Sequence, residues 1–250
     1  MTTEYFSSRR TIRKYKNEAI SIAEVEKMLA LAAEAPTTGG MQLYSAIITT
    51  EESLLKQLAS THFNQPAAAG APMIVTFCAD FNRFNKWCEA SDAVPGFGNF
   101  QSFMSAVLDT TILAQQFNTI AELNGYGCCY LGTTTYNAPQ IAEALELPRF
   151  VVPVVALSIG IPDDDSDKAE RIPAEGFIHR EKYADYSAER ISNLYQQKEM
   201  LEANIKFVEE NGKQSLAQVF TDVRYPKTNN EFFSKVYYDF IESQGFEWCR

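Results

Sequence analysis

Histidine is scarce in this chain of 250 residues: His62 and His179 are the only two, and they are too far apart for ligand spacing. The five cysteines, Cys78, Cys88, Cys128, Cys129 and Cys249, include no C-x-x-C pair. A zinc centre therefore lacks a donor set, and no metal is expected. Reduced thiols in a cytoplasmic protein fit better than a disulfide framework. The longest apolar run, residues 150–161, contains Pro153 and is too short to cross a bilayer. The start of the chain has no apolar segment resembling a signal peptide. Positive charge is short as well, with 22 Lys+Arg against 32 Asp+Glu and a formal charge of −10. Nucleic acid and anionic membranes both call for a broad basic field, so neither is an expected partner. Gly125-x-Gly127 lacks the third glycine of a dinucleotide fingerprint and follows a helical stretch where that motif needs a strand. There is no Walker A loop and no G-x-S-x-G elbow.

Against this deficit of cations, Ser8-Arg9-Arg10-Thr11-Ile12-Arg13-Lys14-Tyr15 packs four of them into six residues. In extended backbone Arg9, Thr11 and Arg13 would share one face, and Arg10, Ile12 and Lys14 the other. A face reading cation, hydroxyl, cation suits a phosphate, which guanidinium groups bind bidentately. The alternative is a solvated basic terminus.

Farther along, Ser21-Ile22-Ala23-Glu24 reads as a capping box for a helix that Pro36 terminates. A turn through Pro36-Thr37-Thr38-Gly39-Gly40-Met41-Gln42 leads to a strand over 46–50, and Thr50 opens a helix over 51–59. Residues 73–79 form an apolar strand covered on both faces, and Asp80 caps a short helix reaching Trp87. The stretch 100–124 is a helix apolar around most of its circumference, which marks it as buried or as a subunit interface. Strands at 128–131 and 151–161 bracket a helix that Asn137 caps, with Pro139 in its first turn. Helices over 187–211 and 229–244 close the chain. No repeat or linker divides the pattern, which predicts one α+β domain over residues 1–250 with a helical majority and a C-terminal helical excursion over roughly 187–250.

Five segments, in order, resemble the FMN-dependent nitroreductase family, in particular its nitroreductase A and NADPH-flavin oxidoreductase branch. Arg9-Arg10-Thr11-Ile12-Arg13 is similar to the family's H/R-R/H-S-x-R/K opening. Ala35-Pro36-Thr37-Thr38-Gly39-Gly40-Met41-Gln42 is similar to P-S/T-S-x-N-x-Q, with Gly40 in place of the asparagine. Phe77-Cys78-Ala79-Asp80-Phe81-Asn82-Arg83 resembles a run that follows the central strand. Gly125-Tyr126-Gly127-Cys128-Cys129-Tyr130-Leu131-Gly132 is similar to G-x-G-x-x-Y-I-G. Arg171-Ile172-Pro173-Ala174 is similar to K-P-R-x-P, except that the family lysine falls on Ala169 and Lys168 stands one residue earlier.

The resemblance implies a nitroreductase-like fold: a central mixed sheet flanked by helices, with helical extensions forming a dimer interface. It implies FMN held by Arg9, Arg10, Thr11, Arg13, Thr37, Thr38, Gly39, Gln42, Gln65, Tyr130, Leu131, Gly132, Thr133, Lys168 and Arg171. Arg9 and Arg171 would meet the phosphate, Arg13 the N1/O2 edge of the ring, and residues 130–133 its N5 side. No catalytic side chain is expected, because the cofactor performs the hydride chemistry. NAD(P)H would reduce the flavin and leave, and a nitroaromatic, quinone or free flavin would then take the electrons by ping-pong turnover. Residues 93–99 and 213–227 would form the pocket rim. The alternatives are another flavin reaction on the same fold (ring dehydrogenation or reductive dehalogenation) and a non-catalytic flavin-binding protein.

Overall fold

The computed structural model describes residues 3–164 and 168–248. The chain divides into two compact units, one comprising Met1–Ser166 with Phe233–Arg250 and the other Asp167–Phe232. The first is built on four strands: β1 (Tyr44–Thr49), β2 (Met73–Asp80), β3 (Gly127–Leu131) and β4 (Val151–Gly160), in the order β1-β2-β4-β3. Among the described residues, every pairing between these strands is antiparallel. The expectation of a mixed sheet is therefore corrected. Strands alternating with helices suggest parallel crossovers, but here β1–β2 and β3–β4 are successive antiparallel neighbours, and β3, which runs in the same sense as β2, is separated from it by β4.

Helices cover both faces. On one, Val25, Met28 and Ala32 of α2 (Ile22–Ala32) join Leu113, Ala114, Phe117 and Ala121 of α6 (Phe100–Leu123). They pack on Met73, Val75, Phe77, Leu157 and Ile159 from the two central strands. On the other, α3 (Glu52–Thr61), α4 (Pro66–Ala69) and α7 (Ala138–Ala144) bring Leu58, Ala67 and Ile141 against Ile74, Ala156 and Leu131. This double cover is why all eight residues of β2 are buried in an antiparallel sheet. A third cluster gathers Phe81, Phe103, Phe240 and Phe246 around the end of the unit, joining α5 (Asn82–Ala90) and α11 (Lys227–Ser243) to the core.

Helix starts follow side-chain chemistry more closely than apolar spacing. Ser21 caps α2, accepting from the Glu24 N–H, as the sequence indicates. The cap of α3 is Glu51, one residue after Thr50, with its carboxylate taking the Ser53 and Leu54 N–H groups. Asn137 precedes α7 without capping it; its amide donates instead to the Thr61 carbonyl at 2.6 Å. In the second unit the helix expected over 187–211 is two, α8 (Ala188–Glu199) and α9 (Glu202–Glu210), followed by α10 (Leu216–Val219) and a π-helical turn, Phe220–Arg224. There Arg224 stacks over Phe207 and Phe220. Part of the acidic loop, and Cys249, lie outside the described residues.

The basic block is not a sheet strand. After α1 (Thr3–Ser8), residues 9–16 run as irregular chain across the ends of β3 and β4, with a single bridge between Tyr15 and Pro162. Ile12 N–H donates to the Cys128 carbonyl at 3.2 Å and Lys16 N–H to Ile161 at 2.9 Å. Two glycines make this approach possible. A Cβ on Gly127 would stand 2.6 Å from Ile12 Cβ, and one on Gly160 would stand 2.6 Å from the Tyr15 ring. Tyr15 fixes the crossing by donating to the Ile12 carbonyl at 2.9 Å and meeting Ser158 Oγ at 2.7 Å.

Neither neighbour is the flexible tip of a long side chain, so substitution forces the backbone apart. Gly127→Ala and Gly160→Ala should each destabilise the protein by about 1–3 kcal/mol, the usual cost of overpacking. Urea midpoints equal to wild type would show that the segment is not clamped.

Candidate active site

Three groups of residues singled out in the sequence lie along α6, and each meets a polar side chain of that helix. The first is the basic block. Arg9 donates through Nε and Nη2 to Glu122 Oε2 and Oε1 at 2.9 and 2.6 Å, and Tyr5 OH donates to the same Oε2. The carboxylate raises the Arg9 pKa further, while burial and then Glu122 push the Tyr5 phenol up to about 12. Arg10 Nη2 donates to the Asp164 carbonyl at 2.8 Å, and the Arg13 N–H to Asp164 Oδ2 at 2.7 Å. Thr11 is half-buried between them and the Arg13 side chain is exposed. Burial pushes the Cys129 thiol up, with Arg13 and Arg9 pulling against it.

The second group is the turn over residues 37–42. Asp109, buried on α6, accepts from Thr38 N–H and Thr38 Oγ1, both at 2.8 Å, and from Leu43 N–H at 3.2 Å. A buried carboxylate with three donors is a stable anchor for irregular backbone. The turn bends through left-handed conformations at Gly39 (φ 56°), Gly40 (φ 71°) and Gln42 (φ 52°). A Cβ on Gly40 would meet nothing within 4 Å, so the turn's outer side is open. Thr37 is half-buried beside it. Gln42 Nε2 donates to Tyr44 OH at 3.1 Å, and Arg83 donates to the Gln42 carbonyl.

The third is the end of β3. Tyr130 OH donates to Gln115 Oε1 of α6 at 3.2 Å. Leu131 is buried, and Gly132 is exposed with open space where a side chain would be. Thr133 Oγ1 accepts from Gln65 Nε2 at 3.0 Å and meets His62 Nδ1 at 2.9 Å. Beside it Tyr136 stacks on Phe233, with ring centroids 4.5 Å apart, and Phe63 meets the same ring edge-on.

Lys168 and Arg171 belong to the other unit. There Arg171 Nη1 donates to the Ala169 and Glu170 carbonyls at 3.0 and 2.9 Å, while Glu170 pairs with Lys198. Sequence reasoning missed Asp109, Glu122, Asp164 and His62. Of these, Asp109 left a trace, as a carboxylate at a core position of an otherwise apolar helical pattern.

His62 is 1 % exposed, and its Nε2 has no hydrogen-bond partner among the described residues. Burial draws its imidazole down from 6.5 to about 4. The unfolded chain therefore takes up this proton first as pH falls. The associated stability is complete above about pH 6.5, declines below it and is gone near pH 4, about 3 kcal/mol at most. Urea unfolding at pH 7.5 and pH 5 should show a loss that is smaller by about 2 kcal/mol in His62→Gln than in wild type. Equal losses in the two proteins would refute the assignment to His62.

Residues 6–161 match the model of the Nitroreductase family. An oxygen-insensitive NADPH nitroreductase of Salmonella typhimurium is 32% identical over 182 residues, 73% of this chain and 74% of its own length. A Bacillus subtilis FMN reductase (NADPH) is 27% identical over 184 residues, again 73% of this chain and 74% of the relative. Among solved structures, a Bacteroides fragilis protein assigned as an oxidoreductase superposes with a TM-score of 0.95 at 47% identity, covering 97% of this chain and 99% of that one. The NfrA2 protein of B. megaterium follows with a TM-score of 0.84 at 26% identity, covering 99% and 98%. The α+β architecture, the ordered motifs and these matches agree: the chain belongs to the nitroreductase family.

Proposed function

We propose that this protein is an FMN-dependent oxidoreductase that takes hydride from NAD(P)H and delivers electrons to nitroaromatic, quinone or flavin acceptors by ping-pong turnover. The observation that carries the reading is the run of Arg9, Arg10 and Arg13 on a segment whose backbone is bonded to β3, in a chain of net charge −10. Such a local excess of guanidinium groups suits a phosphate dianion.

The donor set fits FMN on three counts. The basic block offers cations and the Thr11 hydroxyl at one place. The 37–42 turn offers Thr37, Thr38 and Gly39 on backbone anchored to a buried carboxylate. The end of β3 offers Tyr130, Leu131, exposed Gly132 and a Thr133 hydroxyl ordered by Gln65. Flavin, when bound, supplies the hydride chemistry at its N5. The protein's own work is to orient and to exclude water, so no acid, base or nucleophile is required of it. In this reading Arg13 keeps positive charge near the polar edge of the ring, Gln42 and Gln65 stiffen the surrounding backbone, and Arg9 and Arg10 hold the phosphate. Lys168 and Arg171 are proposed as further phosphate ligands on the strength of their motif alone.

We also read the molecule as a homodimer. Leu108 and Ile112, one turn apart on α6, are 58% and 42% exposed, an apolar outer face that a second subunit would cover. No helix among the described residues is long and apolar enough to cross a membrane. Cys78, Cys88, Cys128 and Cys129 are free thiols, which fits the reducing cytoplasm.

Stopped-flow mixing of FMN-loaded protein with NADPH or NADH should bleach the flavin band, and a nitroarene or quinone should restore it. A preparation that does not retain FMN when it is supplied in excess would remove the reading. One that stays yellow with both nicotinamides would leave only a flavin-binding protein.

A further inference from the structure

A carboxylate one residue from the C-terminal end of a helix is poorly placed, because the unpaired carbonyls there form the negative end of the helix dipole. Glu122 occupies this position on α6, with its side chain only 8% exposed. It is compensated by Arg9, which reaches both carboxylate oxygens, and by Tyr5 OH, which shares one of them. The pairing uses the Nε–Nη2 edge of the guanidinium, and among the described residues no hydrogen bond occupies Nη1. Arg9 sits on irregular backbone, where its long side chain would otherwise sample many rotamers. Glu122 is the more buried partner, at 8% against 26%. If Arg9 swung away, a largely buried carboxylate would be left facing one phenol, so the pair holds together.

We propose that Glu122 is a positioning residue: it clamps Arg9 so that the open side of the guanidinium is presented, already ordered, to the phosphate of a mononucleotide. This rests on the phosphate role proposed above for Arg9. A side chain ordered in the empty protein does not subtract its rotamer entropy from binding, and a planar fork gains most from being held. The effect concerns the phosphate alone, so it separates ligands that share a ring and differ in that group.

Apoprotein titrated with FMN and with riboflavin, by flavin fluorescence quenching, provides the test. Wild type should bind FMN more tightly than riboflavin. Glu122→Gln should weaken FMN about tenfold, the order of one charge-assisted hydrogen bond, and leave riboflavin within about twofold. In an Arg9→Gln background the same change should have little further effect, since Glu122 acts through Arg9. If Glu122→Gln does not fold, as judged by circular dichroism, Glu122→Asp keeps the charge, draws it back by one methylene and should give the same selective loss. Unchanged FMN affinity in the folded variants, equal losses for both ligands, or a loss that simply adds to that of Arg9→Gln would overturn the role of Glu122. Wild type that binds FMN no better than riboflavin would overturn the phosphate reading itself.

Discussion

The close approach of residues 9–16 to the ends of β3 and β4 is the contact on which the site depends. It exists because positions 127 and 160 carry no side chain, so Ile12 and Tyr15 occupy space that a Cβ would take. Glycine within a strand weakens it, through lost packing and greater backbone entropy in the unfolded chain. Here the loss is offset by the buried Ile12 side chain and by hydrogen bonds from Ile12 and Lys16 to β3 and the residue after β4. The outcome is an irregular chain held as firmly as a strand. It presents arginines to two sides: Arg9 turns towards α6 and Arg10 towards Asp164.

The helix α6 carries two loads that pull in different directions. Its apolar positions fill the core between α2 and the sheet. Three of its polar residues, Asp109, Gln115 and Glu122, hold the 37–42 turn, Tyr130 and Arg9 in turn. A buried Asp109 would be costly without partners, but three donors satisfy it and tie the turn to a helix packed in the core. Geometry at the candidate site is thus inherited from the core: a shift of α6 moves all three groups together.

The strands and long helices were legible because they follow from apolar periodicity, which packing on a sheet imposes directly. Ser21, Pro36 and the run 73–79 each declare their place through local chemistry. Strand direction was not legible, since a helix between two strands can return the chain either way. Nor was the break at Met200–Leu201, where polar sequence continues on both sides. For the site, the ordered motifs identified which segments meet, but not what holds them. His62, Glu122 and Asp164 read as ordinary surface or core residues until the contacts with Thr133, Arg9 and Arg13 are seen, because partners more than seventy residues away leave no local pattern. Asp109 is the exception, a charge where periodicity demands an apolar residue.

The charge distribution says how such a site can work in an acidic protein. With a net charge of −10, the molecule as a whole repels an anionic ligand at long range, and salt confines each charge's influence to about 8 Å. Capture by steering is therefore weak, and affinity must come from contact. Contact affinity from three arginines would be lost if they were free to extend into solvent, or if their mutual repulsion opened the segment. Glu122 and Asp164 answer both problems. Glu122 pairs with the Arg9 guanidinium, while Asp164 holds Arg10 through its main-chain carbonyl and the Arg13 backbone N–H through its carboxylate. The result is arginines carried on ordered backbone, which suits retention of a bound anion more than its recruitment. That is the behaviour a resident cofactor needs, as distinct from a substrate that must leave after every turnover.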